Sequence, residues 1–355
     1  MSEFWKGKRI LITGHTGFKG SWLAFWLKML GAEICGYALA PETEPNLFEN
    51  LQLASEIESV AGDVRDLENF EKCLKNFQPE IVFHLAAQSL VRKSYRAPIE
   101  TYTTNVIGTI NVLEAVRRVD SVKAVVVVTT DKVYENKEWH WAYRENERLG
   151  GFDPYSNSKA CAELAVAAYR NSFFAESRCL IATARAGNVI GGGDWSEDRL
   201  LPDVFRSLIF GEKLEIRNPH SIRPWQHTLE PLSGYMRLAE KLHAGEKAFA
   251  ESWNFGPSEE DSKPVGWILE EIKRVWNEPV NWEIAEGFQP HEARLLKLDS
   301  AKAKSELKWM PKLTLIEAVN LTAEWYLGFK DKKNLAELTR KQINFYQNKD
   351  ALKTA

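Results

Sequence analysis

The sequence predicts an α/β fold, with a doubly wound parallel sheet in the first half of the chain and a smaller C-terminal α/β domain. Three observations support this prediction. Short, β-branched apolar runs alternate with amphipathic stretches as far as Gly187. A glycine-rich segment separates the first of these runs from the first amphipathic stretch. Beyond Gly187 the strict alternation ends, and Gly, Pro, Asp and Trp become frequent.

The elements of the first half follow in a regular order. The runs over 81–86 and 123–129 are almost continuously apolar, as expected of parallel strands covered on both faces. The stretch over 101–119 carries Val106, Ile110 and Leu113 at helical spacing. We predict strands at 9–13, 33–39, 57–64, 81–86, 123–129 and 179–184, and helices at 21–30, 67–77, 101–119 and 156–173.

The second half is richer in loops. We predict helices at 202–210, 229–244, 265–276 and 315–329, and short strands at 214–217 and 294–298. Leu335, Leu338 and Ile343 give the polar tail a helical spacing. The expected domains are 1–188, rejoined by about 228–255, a discontinuous second domain over 189–330, and a helical tail over 331–355.

Composition and charge restrict the class of protein. The chain has 355 residues, with 46 Lys or Arg against 49 Asp or Glu and a net charge of −3. A hydrophobic share of 44% and a charged share of 27% argue against a disordered chain or a basic nucleic-acid-binding protein. Four widely spaced cysteines without a C-x-x-C pattern indicate neither a disulfide framework nor a metal site. No apolar run approaches the ~18 residues of a membrane span. We expect a cytoplasmic protein that binds small molecules or proteins, with no nucleic-acid or membrane partner.

The segment over 13–20, Thr-Gly-His-Thr-Gly-Phe-Lys-Gly, lies between the first strand and the first helix. Its glycines allow a tight turn and the close approach of a diphosphate, whose charge meets the N–H groups and positive dipole end of the helix. A P-loop is not indicated, because no Gly-Lys-Ser/Thr follows. The context predicts a Rossmann-type dinucleotide site rather than a plain turn.

The second strand bears on the choice of dinucleotide. It lacks the acidic residue that usually binds the adenosine ribose of NAD, since it ends Tyr-Ala-Leu-Ala-Pro at 37–41. Glu42 and Glu44 are not at the expected position, and no arginine follows closely to receive a 2′-phosphate. We therefore favour NAD over NADP. Asp63 is a candidate for binding the adenine amino group, or alternatively caps the helix that begins at Leu67.

The fifth strand ends abruptly in Thr130, Asp131 and Lys132, at the edge where open α/β sheets bind their ligands. Tyr155 and Lys159 stand one helical turn apart at the start of the next helix. A lysine beside a phenol stabilises the phenolate, so we expect the pKa of Tyr155 to fall from about 10 toward neutrality. Tyr-x-x-x-Lys alone would indicate a solvated helix pair. Joined to the glycine loop and Thr130, it predicts an acid/base catalyst.

These motifs resemble the extended short-chain dehydrogenase/reductase family over about residues 8–325. The resemblance rests on the segment 13–20, His84-Leu85-Ala86-Ala87-Gln88, Asn105, Tyr155 with Lys159, and Arg185-Ala186-Gly187-Asn188-Val189. Within the family, Thr130-Asp131 resembles the Thr-Asp-Glu tripeptide of nucleotide-sugar 4,6-dehydratases, and Lys132 departs from it where thymidine-linked enzymes carry Glu. The stretches 131–139, 191–195 and 222–227 resemble cytidine-linked members in particular.

The resemblance implies dehydration of CDP-glucose with tightly bound NAD, by C4 oxidation, loss of water across C5 and C6, and hydride return to C6. Tyr155 would take the 4-hydroxyl proton, Thr130 would hold that oxygen, and Lys159 would bind the ribose and phenolate. Asp131 would protonate the departing 6-hydroxyl. Lys132 would be the C5 base, which requires a neutral amine. Alternatively Lys132 stays charged and stabilises the enolate while Asp131 performs both proton transfers.

Further residues are assigned by the same resemblance. The implied cofactor-binding residues are Thr13, Gly14, Thr16, Gly17, Phe18, Gly20, Asp63, Val64, Leu85, Ala86, Ala87 and Asn105, together with Tyr155 and Lys159. The implied substrate-binding residues are Gln88, Asn188, Arg199, Arg217, Arg223, Asn254 and His291. Trp195 and Trp225 are expected in the core more readily than stacked on a ligand ring. His84, in an apolar strand, is expected to be a hydrogen-bonded core residue.

Other functions remain open at this point. A 4-epimerase would share every motif except the Asp131-Lys132 pair, and a 4,6-dehydratase could act on a different nucleotide-sugar. A catalytically silent NAD(P)-binding regulator would be expected to have lost Tyr155 or Lys159. We expect a homodimer or homotetramer, paired through the helices over 101–119 and 156–173. The implied process is deoxysugar synthesis for a surface polysaccharide such as the O-antigen of lipopolysaccharide.

Overall fold

A computed structural model describes residues 2–286 and 295–352. Its centre is a seven-stranded parallel sheet with the order β11-β6-β5-β4-β1-β2-β3. The strands of this sheet are β1 (Arg9–Thr13), β2 (Glu33–Ala38), β3 (Glu58–Ala61), β4 (Ile81–His84), β5 (Ala124–Val128), β6 (Leu180–Arg185) and β11 (Ser252–Asn254). Six shorter strands form separate pairs: β7 (Val189–Ile190) with β10 (Gln226–His227), β8 (Glu215–Ile216) with β13 (Glu283–Ile284), and β9 (Ile222–Pro224) with β12 (Ser262–Pro264).

Helices cover both faces of this sheet. The α-helices are α1 (Ser2–Trp5), α2 (Phe18–Met29), α3 (Leu47–Asn50), α4 (Leu67–Phe77), α5 (Val91–Arg96), α6 (Pro98–Tyr102), α7 (Gly108–Arg117), α8 (Pro154–Phe173), α9 (Leu200–Phe210), α10 (Leu229–His243), α11 (Val265–Trp276), α12 (Ala301–Ser305), α13 (Leu315–Lys330) and α14 (Leu335–Leu352). Within the described ranges, no helix is long and apolar enough to cross a bilayer.

The strand sequences explain why both faces are covered. In β1, Ile10 and Ile12 pack into the core shared with α2 and α10, whereas Leu11 packs on the opposite face with α4 and α7. Successive side chains of a strand point to opposite faces, so a strand buried on both sides must be apolar at every position. All five residues of β5 are buried for this reason. The predicted doubly wound architecture is confirmed.

The predicted element boundaries are mostly within a few residues of those observed. Two differ in kind. The predicted helix over 101–119 is α6 and α7, joined by a π-helical turn over Thr103–Ile107. The predicted strand over 294–298 is not formed in its described part, 295–298, where Leu298 makes one isolated bridge to Tyr143. Leu296 and Leu298 pack into a small apolar cluster there instead.

The second half of the chain completes the central sheet. β11 pairs with the outer side of β6 from Ser252 to Asn254. Leu232, Tyr235 and Leu238 of α10 lie in the same core as alternate residues of β5 and β6. The proposed domain boundaries, including the return of about 228–255 to the first domain, stay a prediction.

Candidate active site

One large cleft opens at the carboxyl ends of β1, β4, β5 and β6. Its volume is about 1380 Å³, and both halves of the chain line it. Open α/β sheets bind ligands at this edge. Most of the predicted site residues line the cleft: Gly14, Thr16, Gly17, Phe18, Gly20, Asp63, Val64, Leu85, Ala86, Ala87, Gln88, Thr130, Lys132, Tyr155, Lys159, Asn188, Arg199, Arg217 and Arg223. His291 lies outside the described residues.

The glycine loop closes tightly between β1 and α2. Gly14 has a φ of +74°, and a Cβ there would lie 2.7 Å from the backbone nitrogen of Ala86. A Cβ on Gly20 would overlap the carbonyl oxygen of Gly14. Helix α2 begins directly after Gly17, so its first N–H groups face the cleft. The loop therefore has the close backbone approach and helix terminus that suit a dinucleotide diphosphate.

Thr13 lies beneath this loop rather than in the cleft, which corrects its prediction as a cofactor contact. Its hydroxyl oxygen accepts hydrogen bonds from the N–H groups of Leu85 and Ala86, both at 3.1 Å. It also lies 2.7 Å from Nδ1 of His84, whose Nε2 is 3.0 Å from the Thr109 hydroxyl. Burial lowers the pKa of His84 to about 3, with a smaller effect from nearby Lys159. The expectation of a hydrogen-bonded core histidine is confirmed.

Asp63 follows β3, lines the cleft and holds Arg65. Its carboxylate accepts hydrogen bonds from the backbone N–H of Arg65 at 2.9 Å and from Nε at 2.8 Å, and these bonds lower its pKa. The cap of α4 is Asp66, which accepts the N–H of Asn69 at 3.1 Å. The alternative role of Asp63 as that helix cap is therefore wrong. The expectation that no arginine lies nearby overlooked Arg65.

Asp131 is completely buried behind the cleft. Its Oδ1 accepts hydrogen bonds from the Thr130 hydroxyl at 3.0 Å and from Lys132 Nζ at 3.2 Å. A Cβ on Gly187 would overlap this carboxylate, so any larger residue there would displace it. Asn188, at a φ of +46°, has its amide nitrogen 3.5 Å from Oδ2 of Asp131. The Asp131 carboxylate and the Lys132 ammonium thus form one close pair behind the Thr130 hydroxyl.

Helix α8 carries Tyr155 and Lys159 into the cleft. Asp153 caps the helix by accepting the N–H of Ser156 at 3.0 Å, and Pro154 occupies the first helical position. Tyr155 lies close enough to Thr130 for that hydroxyl to lower its pKa. Lys159 Nζ donates to the carbonyl oxygen of Val128 at 3.0 Å.

The expectation that Lys159 lowers the pKa of Tyr155 is wrong. Burial raises the pKa of Tyr155, and the largest opposing influence is Lys132 rather than Lys159. Burial also lowers the pKa of Lys159 to about 8, against a raising influence from Glu163. The ammonium faces a backbone carbonyl instead of the phenol, which is why sequence spacing alone misjudged this pair.

Two predicted amide ligands support the site instead of lining it. Asn105 is buried and donates to the carbonyl of Gln88 and the hydroxyl of Ser158, both at 2.9 Å. It also accepts the N–H of Gln88 at 2.9 Å. Asn254, at the end of β11, accepts from the Tyr134 hydroxyl at 2.7 Å and donates to the carbonyl of Tyr143 at 2.9 Å. Both side chains connect distant segments, so neither has an amide turned toward a ligand.

The arginines of the second half reach the cleft from its loops. Arg199 donates to Asp194 and to the Ser89 hydroxyl, both at 3.0 Å. Arg217 donates to the carbonyl of Asp198 at 3.0 Å. Arg223 donates to the neighbouring carbonyl of Ile222 at 3.0 Å. Their positions along one wall are compatible with an elongated diphosphate ligand.

Trp195 and Trp225 are mostly buried, although both border the cleft. Trp195 packs edge-on against Tyr326, with ring centroids 5.0 Å apart. The indole of Trp225 donates to the carbonyl of Lys263 at 3.0 Å. These contacts agree with the expected core role.

Lys19 is one of the cleft residues that sequence reasoning missed. It is the second residue of α2 and lines the cleft. The sequence did contain a signal for this residue. It places a lysine in the first turn of a helix, where the helix dipole disfavours a cation. No group of three or more potential metal ligands occurs within residues 2–286 and 295–352.

Comparisons with known proteins extend over nearly the whole chain. A family model described as GDP-mannose 4,6 dehydratase matches residues 11–322. The CDP-glucose 4,6-dehydratase of Salmonella typhimurium is 49% identical over 351 residues, which cover 98% of each chain. The dTDP-glucose 4,6-dehydratase of Bacillus anthracis, solved with NAD, has a TM-score of 0.77 at 24% identity, covering 93% of this chain and 100% of that one. The UDP-glucose 4-epimerase of Thermotoga maritima, solved with UDP-glucose, has a TM-score of 0.78 at 22% identity, covering 90% and 99%.

Proposed function

The chain belongs to the family described as GDP-mannose 4,6 dehydratase, within the extended short-chain dehydrogenases/reductases, and on that premise we propose that it dehydrates CDP-glucose to CDP-4-keto-6-deoxyglucose. The observation that carries this proposal is the 49% identity to a CDP-glucose 4,6-dehydratase along 98% of both chains. The Thr130-Asp131-Lys132 segment opposite Tyr155 supplies the groups that the reaction needs.

NAD is the proposed cofactor, and it supplies the acceptor for the C4 hydride and the hydride that returns to C6. The close approach at Gly14, the start of α2 and the cleft-lining Asp63 support binding of its diphosphate and adenosine ends. The NAD complex of the Bacillus anthracis neighbour agrees with this choice.

In the first step, Tyr155 accepts the proton of the glucose 4-hydroxyl while Thr130 hydrogen-bonds the same oxygen. Because burial raises the pKa of Tyr155, its phenolate needs stabilisation by the groups around it. Lys132 and Arg199 already act in that direction. The resulting 4-ketone acidifies the C5–H bond.

The elimination step uses Asp131 and Lys132 as a pair. Their oxygen and nitrogen are 3.2 Å apart, so one proton can pass from the ammonium to the carboxylate. This transfer leaves the net charge unchanged and gives a neutral amine and a carboxylic acid. Lys132 then takes the C5 proton, and Asp131 gives its proton to the departing 6-hydroxyl. The loss of water returns both residues to their charged forms.

Turnover with several nucleotide-sugars tests the proposal. The purified chain is incubated with CDP-, dTDP-, UDP- and GDP-glucose, and the 4-keto-6-deoxy product is followed by its absorbance in alkali. We expect product from CDP-glucose first, with one deuterium at C5 when the reaction runs in deuterated water. A 4-epimerase, the second candidate, would return a hexose that keeps its 6-hydroxyl.

Assembly and location are also proposed. Ile99, Leu164 and Phe173 are large apolar residues on α6 and α8, exposed by 79%, 60% and 52%. They support pairing of two chains through these helices, as a homodimer or a dimer of dimers in the cytoplasm. Sedimentation that finds a monomer at micromolar concentration would contradict this assembly.

We further propose that 1–188 with about 228–255 binds NAD and that 189–330 binds the nucleotide-sugar. We also propose that the product serves surface-polysaccharide synthesis.

A further inference from the structure

Lys19 stands in an electrostatically unfavourable place. It occupies the first turn of α2, where the N–H groups and the helix dipole already present positive charge. The charged groups that face it are Arg199 at the start of α9, Asp131 and Lys132 after β5, and Lys159 on α8. Three of these four groups are cations. An ammonium in this position needs a negative partner.

The three cations that face Lys19 have acceptors. Lys159 donates to the carbonyl of Val128, Lys132 to Asp131, and Arg199 to Asp194. Lys19, in contrast, makes no side-chain hydrogen bond or ion pair with any residue of 2–286 and 295–352. The carboxylate that faces it, Asp131, is already bonded by its neighbours Thr130 and Lys132.

We propose that Lys19 binds the phosphate oxygens of a diphosphate ligand and takes up a proton as that ligand binds. This inference rests on the proposed function, in which both cofactor and substrate carry a diphosphate. Burial and the neighbouring cations lower the pKa of Lys19 to about 7. A bound anion favours the charged amine, so the pKa rises when the site fills.

The direction of the pH effect follows. Below pH 7 the amine is already largely charged, and binding changes its protonation little. Between about pH 7 and the higher pKa of the complex, binding takes up between about half a proton and one proton. Diphosphate affinity should therefore fall as the pH rises above 7.

Isothermal titration calorimetry at pH 8 measures this uptake. The full chain, freed of nucleotide, is titrated separately with NAD⁺ and with CDP in two buffers of different ionisation enthalpy. Uptake with NAD⁺ alone assigns the cofactor diphosphate, uptake with CDP alone assigns the substrate diphosphate, and uptake with both assigns a residue shared between them. Lys28→Met, an exposed change on the same helix, is the control and should match the wild type.

Two variants separate charge from titration. Lys19→Arg keeps the charge but cannot titrate near pH 8, so it should bind within about threefold of the wild type without proton uptake. Lys19→Met should lose the uptake and bind about 10- to 100-fold more weakly. Circular dichroism and the melting temperature verify folding.

Wild-type binding without uptake for either ligand, or uptake that survives in both variants, would overturn the inference. A chain that shows the uptake with NAD⁺ but does not dehydrate CDP-glucose would refute the proposed function and leave this inference standing.

Discussion

Gly187→Ala tests whether the position of Asp131 governs dehydration. A Cβ at residue 187 would overlap the Asp131 carboxylate, well inside the ~3.5 Å of an ordinary contact, so the carboxylate must move by about 1 Å or more. A displacement of about 1 Å at a reacting group costs about 100-fold in rate. We expect the turnover of CDP-glucose to fall by about that factor or more.

The three atoms nearest such a Cβ all belong to Asp131, so the same substitution should spare the oxidation of C4 by Tyr155, Thr130 and Lys159. Reduced nicotinamide should therefore accumulate on the enzyme and be visible in its near-ultraviolet absorbance. Gly266→Ala is the matched control, since its Cβ would meet the carbonyl of Pro219 at an ordinary 3.5 Å. Turnover by Gly187→Ala within about threefold of the wild type would refute this account of Asp131.

The remaining predictions concern single side chains. Tyr155→Phe should bind both ligands but lose about 10²- to 10⁴-fold in turnover, and activity close to wild type would remove the phenol from the mechanism. Asp131→Asn should oxidise C4 and then stall with reduced nicotinamide bound, as followed by absorbance. Lys132→Met should also stop deuterium exchange at C5; continued exchange, read by NMR, would assign the base to Asp131. Glu163→Gln should lower the free energy of unfolding by about 3–5 kcal/mol in urea, because it breaks a buried ion pair. Lys341→Ala, in an exposed pair, should leave the urea midpoint unchanged.

Local patterns predicted much of the fold and part of the site. The spacing of Tyr155 and Lys159 brings them to one helix face, and the end of β5 positions Thr130 at the same edge. The apolar strands and the glycine loop are also local features, and these predictions agreed with the structure in kind and order.

Contacts between residues far apart in the sequence determine the features of the site that the sequence analysis did not predict. Asn254 bonds Tyr134 and Tyr143, which lie more than a hundred residues earlier, so its supporting role depends on the folded chain. The ammonium of Lys159 turns to a carbonyl of β5, which changes its effect on Tyr155. The charged groups around Lys19 likewise come from three separate segments.

The seventh strand has a consequence for the order in which the chain can fold during synthesis. β11 supplies the partner for the outer side of β6, yet it follows β6 by almost seventy residues. In a nascent chain that ends at residue 251, the outer edge of β6 has no partner strand. Such an unpaired apolar edge can pair with strands of other chains. A chain truncated after residue 188 would keep this edge of β6 unpaired permanently. We therefore expect that the two halves of the chain cannot be expressed as separate proteins, even though different ligands are proposed for them.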